Sequence, residues 1–439
     1  MLQNNLVNIT NKDFIYNLIA ERIGLYLPNN IRAIYDSCEH IRIIATDSYF
    51  IHYSLYPFLK SKNEDEILEE VRKFKEQYLA DERYQKIKTL TTLDDEMSLI
   101  YSIALTKTII GRIMGKLDIN HYYGHYSKDL RSLKSMVIKA LSELTKTGEL
   151  GVVLEYAMEN AEEITKNAEE IRELIGGKKA GKEAGTFKKV LDLAEHMMFV
   201  KFMRDIITMS KKLSDYIPKA SRILKRRGRI GDEISGYALT KKIERALPRE
   251  IALPDELFLK KLAGEGFLMR EKLSVTEGAY YILIDKSGSM HGEKTIWARS
   301  VAIALYRLAK VKKRKYFLRF FDKRVYPKDG PIEQPEEIVD AILKVKSNGG
   351  TDITNALLTA IKDIKERRLS KYLNTIVIIT DGEDVVQDLS KELKKANASL
   401  VSVMIQGDNE TLKNLSNQYM KAELTEVGGA KLLKIVEVT

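Results

Sequence analysis

From about residue 279 the chain changes rhythm, and that change limits its possible folds more than any other feature. The runs AYYILI, KYFLRFF, NTIVIIT and SLVSVMI are short, apolar and rich in β-branched or aromatic residues. Between them lie GEKTIWARSVAIALYRLAK, PEEIVDAILKV, TDITNALLTAIKDIKE and DLSKELKKAN, whose apolar spacing is helical. Strands alternating with helices imply a mainly parallel sheet covered on both faces. Residues 275–439 are therefore expected to form a doubly wound α/β domain.

Up to about residue 250 the spacing is mostly helical. Thr92–Leu117 opens with Thr92 and Asp95 in a capping-box-like arrangement. Leu99, Ile103, Ile110 and Ile113 then recur near the 3.6-residue period of a core-facing helix. Two further helical stretches, NAEEITKNAEEIRELI and TFKKVLDLAEHMMFVKFMRDIITM, flank a loop, with Thr186 as the expected N-cap of the second. Its stripe of Met197, Met198, Met203 and Met209 reads as adaptable core packing rather than a cofactor box. Between the two regions Pro248 and Pro254 interrupt any long helix. The expected order is an all-helical domain at 1–215, an ordered connector at 216–274 and the α/β domain at 275–439, an α + α/β fold class without internal repeats.

Composition removes several functions. At 439 residues, two or three cores are expected. No run approaches the roughly 20 apolar residues of a spanning helix, and the N-terminus has no export-signal pattern, so a cytoplasmic address is expected. One cysteine, Cys38, allows neither an intramolecular disulfide nor a cysteine zinc cluster, and is expected as a buried small hydrophobe. The net charge of +10 is diffuse and compatible with an acidic partner, a polyanion or simple solubility.

In open α/β sheets, ligands bind beyond the carboxyl ends of the strands. Three polar clusters fall there: Asp285, Ser287 and Ser289 in DKSGSM, Thr351 in NGGTD, and Asp381 in ITDGED. Two carboxylates and three hydroxyls are hard donors suited to Mg²⁺, Mn²⁺ or Ca²⁺. Five such donors leave room in the coordination shell for a water or an outside carboxylate. Singly, each cluster also reads as a turn, a helix cap or a strand exit. It is their joint placement at three strand ends that points to a metal.

Other chemistry fits less well. A nucleophile elbow needs Gly two residues before its serine, where Asp285 or Ser287 stands. His291 follows the loop and reads as a surface residue rather than a base. GGKKAGKE imitates a phosphate loop, but a helix precedes it and Glu183 replaces the metal-binding hydroxyl. HYYGHYSK, with His121 and His125, reads as an aromatic cluster because Gly124 weakens the helix that would align its histidines. The basic runs LKRRGR and KVKKRKY could touch phosphates, yet the second ends a helix, where cations offset the dipole.

DKSGSM, GGTD and TDGE together resemble the metal-ion-dependent adhesion site of von Willebrand factor A domains. The resemblance implies a divalent cation, usually Mg²⁺, bridging to a partner carboxylate. Asp285, Ser287 and Ser289 would hold the ion, Thr351 would complete its shell in the engaged state, and Asp381 would bind directly or through water. A helical N-terminal half, the connector with GDEISGY and ERALPREIALPDELFLKKL, and a C-terminal A domain are similar to ViaA and CoxE-like proteins, which accompany MoxR-type AAA+ ATPases. That resemblance implies a non-enzymatic adaptor or co-chaperone in protein or metalloenzyme maturation. An alternative resemblance, to the Ro autoantigen, implies small-RNA binding.

Overall fold

The structure, a computed structural model, describes residues 6–7, 14–116, 130–175, 184–217, 225–228, 233–240, 242–275, 277–382 and 384–438. By contacts the chain divides into two units, Met1–Arg204 and Asp205–Thr439. HYYGHYSK and GGKKAGKE lie outside the described residues.

The first unit is helical among its described residues: α1 (Phe14–Leu25), α2 (Asn29–Ser37), α3 (Glu39–Tyr53), α4 (Glu66–Leu79), α5 (Glu82–Thr91), α6 (Asp95–Lys116), α7 (Leu130–Lys146), α8 (Glu149–Ile175), α9 (Ala184–Phe199) and the start of α10 (Lys201–Ser214). At its centre α6 packs against α3 and α8. Leu99, Ile103, Ile110 and Ile113 are all buried, as their spacing predicts. By length and composition α6 could span a bilayer, which the sequence reading did not anticipate, but 78% of its apolar window is buried within the protein, as in a core helix.

The caps differ from expectation. Asp94 accepts from the Met97 amide at 3.2 Å, whereas Thr92 donates to Lys88 O in the preceding helix. Arg172 of α8 grips the same Asp94 at 2.7 Å, so one carboxylate both caps α6 and ties it to α8. Thr186 lies inside the first turn of α9 rather than at its cap. Cys38, Met197 and Met203 are buried and Met198 and Met209 half-buried, consistent with packing roles.

The second unit opens with α10's last turns. Leu213 lies against Gly429, Ser300 Oγ donates to Ile206 O at 3.1 Å, and Lys212 pairs with Glu426 at 2.6 Å. The contact division thus falls earlier than the expected boundary at 215. Residues expected as a connector include a small antiparallel sheet of β1 (Lys225–Gly228), β2 (Glu233–Thr240) and β3 (Phe267–Val275), in the order β1-β3-β2. β1 and β3 escaped the sequence reading because KRRG and MREKL are charged and carry no apolar alternation. Pro248 begins α11 (Pro248–Ile251), and Pro254 immediately precedes α12 (Asp255–Ala263).

The main sheet holds β4 (Glu277–Asp285), β5 (Tyr316–Phe321), β6 (Val325–Tyr326), β7 (Leu373–Thr380), β8 (Ala398–Met404) and β9 (Gln418–Lys421) in the order β6-β5-β4-β7-β8-β9. All pairings are parallel except the edge pair β5–β6. The four runs read from the sequence are its inner strands. The two edges were missed because they are very short. Helices α13 (Glu293–Lys312), α14 (Pro335–Lys344), α15 (Ile353–Glu366), α16 (Ser390–Ala396), α17 (Glu410–Leu415) and α18 (Glu426–Val438) complete the doubly wound fold. Ile353, Leu357 and Ile361 of α15 bury against Tyr281, Leu283, Ile376 and Ile378. Within this core Arg319 forms a two-pronged pair with Asp363 at 2.8 and 3.0 Å, joining β5 to α15.

Candidate metal centre

The chain runs from the central strand β4 to β5 on one side, and later places β7 on the other. The β4–β7 crevice is therefore the point where strand order reverses, and there a doubly wound sheet offers a site. The register sets Ile284 beside Ile379, so β4 and β7 end together, Asp285 facing the residue before Asp381.

All five predicted oxygen-bearing side chains meet in this crevice. Asp285 is 2% exposed, and its Oδ1 accepts from the Ser287 amide at 2.7 Å. Ser287 Oγ lies 3.1 Å from Ser289 Oγ, which donates to Asp381 Oδ1 at 2.8 Å. Thr351 Oγ1 reaches Asp285 Oδ2 at 3.5 Å. The neighbouring Asp352 serves as N-cap of α15, accepting from Asn355 N, which leaves the Thr351 hydroxyl for the crevice.

Two glycines allow the loops to approach. Gly349 has φ +102°, in the left-handed region, and a Cβ there would press on Asp322 at 3.1 Å. A Cβ on Gly382 would stand 2.8 Å from Thr351 Cγ2, inside contact distance, so the loop after β7 closes on the Thr351 loop only with glycine.

Three participants were not singled out from the sequence. Thr380, buried at the end of β7, donates to Asp285 Oδ2 at 2.5 Å; its place just before Asp381 was the available signal. Lys294 Nζ pairs with Asp381 Oδ2 at 2.6 Å. Lys286, between Asp285 and Ser287, pairs instead with Asp322 and lies 4.4 Å from the Tyr326 ring centroid. Burial pushes the Asp285 carboxyl above its usual range, while Thr380 and Ser287 hydrogen bonds pull it down and Asp381 adds a smaller upward push.

Chemically the set is all oxygen. Among the described residues no group of three or more His, Cys, Asp or Glu side chains could hold a metal, so any cation here must rely on the hydroxyls as well as the two carboxylates. Such a hard-donor set fits Mg²⁺, Mn²⁺ or Ca²⁺. His291 is exposed. The basic run ending α13 serves the fold: Lys312 pairs with Glu437 at 2.8 Å, and Arg314 stacks on Tyr280 and donates to Gly278 O at 3.0 Å.

This fold and its loops define a von Willebrand factor type A domain, whose family model matches residues 280–383. Such domains commonly mediate protein interactions through a metal site. The chain belongs to one family with the uncharacterised protein MJ0811 of Methanocaldococcus jannaschii, 30% identical over 312 residues, which are 62% of this chain and 69% of that protein. A putative VWFA domain-containing protein, ORF892 of Acidianus two-tailed virus, is 25% identical over 57% of this chain, and the match spans 30% of that relative's length. Among solved structures, a von Willebrand factor type A protein from Catenulispora acidiphila matches 38% of this chain and 43% of its own at TM-score 0.30 and 18% identity. Proximal thread matrix protein 1 from mussel byssus, described with a zinc-occupied MIDAS motif, matches 36% of this chain and 46% of its own at TM-score 0.29 and 14% identity.

Proposed function

We propose that this protein is a non-enzymatic adaptor whose A domain binds a carboxylate of a protein partner through a divalent cation. The observation that carries the reading is the meeting of five oxygen-bearing side chains, from three loops, at the β4–β7 switch point. Asp285, Ser287 and Ser289 would hold the cation, Thr351 would join on engagement, and Asp381 would bind directly or through water. Mg²⁺ is the expected ion, with Mn²⁺ and Ca²⁺ compatible with the same donors. When bound, the ion supplies a Lewis-acidic position for an outside carboxylate.

The chain's own residues prepare that position. Thr380 and the Ser287 amide orient Asp285, and the charge of Lys286 is paired with Asp322. Exposed Lys323 and Arg324 lie at the rim, with Lys323 against Gly350, and favour an acidic partner. The order of helical region, connector and A domain supports the finer reading: an adaptor for a MoxR-type AAA+ ATPase in protein or metalloenzyme maturation, working in the cytoplasm.

A pull-down from native lysate tests both levels, with wild-type and Asp285→Ala bait in Mg²⁺ or EDTA. Recovery of an AAA+ ATPase or its client only with wild type and Mg²⁺ is expected, with the circular dichroism of Asp285→Ala unchanged. Equal recovery by Asp285→Ala would remove the metal-bridged reading. A small RNA retained in EDTA and lost with salt would replace the adaptor by an RNA-binding function.

A further inference from the structure

Lys294 stands second in α13, after Glu293. The first turn of a helix carries the positive end of the helix dipole, so a cation there is unfavourable unless something compensates it. Asp381 compensates it: Lys294 Nζ donates to Asp381 Oδ2 at 2.6 Å, with 21% of the lysine side chain and 2% of the aspartate side chain exposed. Since Asp381 Oδ1 already accepts from Ser289, both carboxylate oxygens are occupied by groups of the same chain.

The ammonium also changes the charge balance of the crevice. Asp285 and Asp381 alone would neutralise a divalent cation. Counting the two candidate ligand carboxylates and Lys294 alone, the crevice has one net negative charge when empty of cation, and one net positive charge when loaded. Lys286 adds nothing to this balance because Asp322 neutralises it. A loaded site that stays positive holds its cation weakly and attracts an outside anion strongly.

Resting on the metal reading above, we propose that Lys294 sets the affinity of this site, holding Asp381 while the site is free and making cation binding depend on a partner carboxylate. The coupling is reciprocal: a carboxylate that joins the loaded site raises cation affinity by the same factor as the cation raises its own. Lys294 is thus a positioning and charge-balancing residue rather than a ligand.

The test is calorimetric titration of the full chain with Mn²⁺, alone and with acetate as the carboxylate probe. The proteins are wild type, Lys294→Met, Lys294→Gln, Lys294→Arg and Asp285→Ala, with folding checked by circular dichroism. Lys294→Met should bind Mn²⁺ about tenfold more tightly than wild type, an order of magnitude set by removing one nearby like charge. Lys294→Gln, which keeps a donor for Asp381, should move the same way, and Lys294→Arg should stay near wild type. Acetate should strengthen Mn²⁺ binding to wild type and do so less in Lys294→Met. If Asp285→Ala abolishes Mn²⁺ binding while both neutral variants match or fall below wild type, the role of Lys294 is overturned and the metal site stands. Absence of Mn²⁺ binding from wild type and both neutral variants would overturn both readings. Binding by the neutral variants with little or none by wild type would support Lys294 as the brake.

Discussion

At the scale of single residues, the crevice shows how small side chains govern a polar site. Gly382 follows Asp381 and stands so close to Thr351 that a methyl group there would sit 2.8 Å from Thr351 Cγ2. Gly382→Ala should displace Thr351 while leaving the strands in place. Mn²⁺ affinity is expected to fall roughly tenfold, equivalent to about 1.4 kcal/mol, with the thermal midpoint shifted by only a few degrees. Unchanged affinity by titration would show that the hydroxyl of Thr351 contributes nothing to the site. Asp285, Ser287, Ser289, Thr351 and Asp381 were legible in the sequence because each follows a strand or precedes a helix in a recognisable spacing. Thr380 was not, since a buried threonine at a strand end looks like any β-branched strand residue until its hydroxyl is seen on Asp285.

Among elements, the helical unit carries a pH-sensitive junction. His40, in the first turn of α3, lies 2.9 Å from Asp65, the N-cap of α4. Cys38 first and Asp65 next hold its imidazole up, to about 9. A folded value raised above the unfolded one, about 6.5, gives stability that is complete below the unfolded value and lost as pH rises through about 9. Denaturant unfolding followed by helical ellipticity should therefore show this contribution declining between about pH 6.5 and 9. His40→Asn should flatten that decline, and an identical slope in the variant would assign it to other groups. Helix existence and the inner strands of the main sheet followed from apolar periodicity. Caps were less legible, because Asp94 rather than Thr92 turns out to satisfy the start of α6, and Arg172 on a distant helix shares it.

For the whole molecule, the end of α10 matters to the A-domain unit. Leu213 is fully buried with Gly429 against it, and Ile206 is equally buried. A fragment of residues 205–439 should be more stable than one of residues 216–439 by about 3 kcal/mol or more, since burying each such side chain contributes about 1.5–3 kcal/mol. Equal denaturation midpoints and slopes would assign these residues to the helical unit alone. What the sequence determined by itself was the class of fold and the edge where its chemistry lies. Strands buried on both faces must be continuous apolar runs, and the polar residues that interrupt them mark the sheet's open end. The tertiary structure decided what comes from neighbours remote in the chain. Charged segments became β1 and β3 by pairing with each other. Lys286 found Asp322, and Lys294 found Asp381 across 87 positions. Periodicity records only which way a residue faces along its own element, whereas the partner of a charge is settled by the packing of several elements at once.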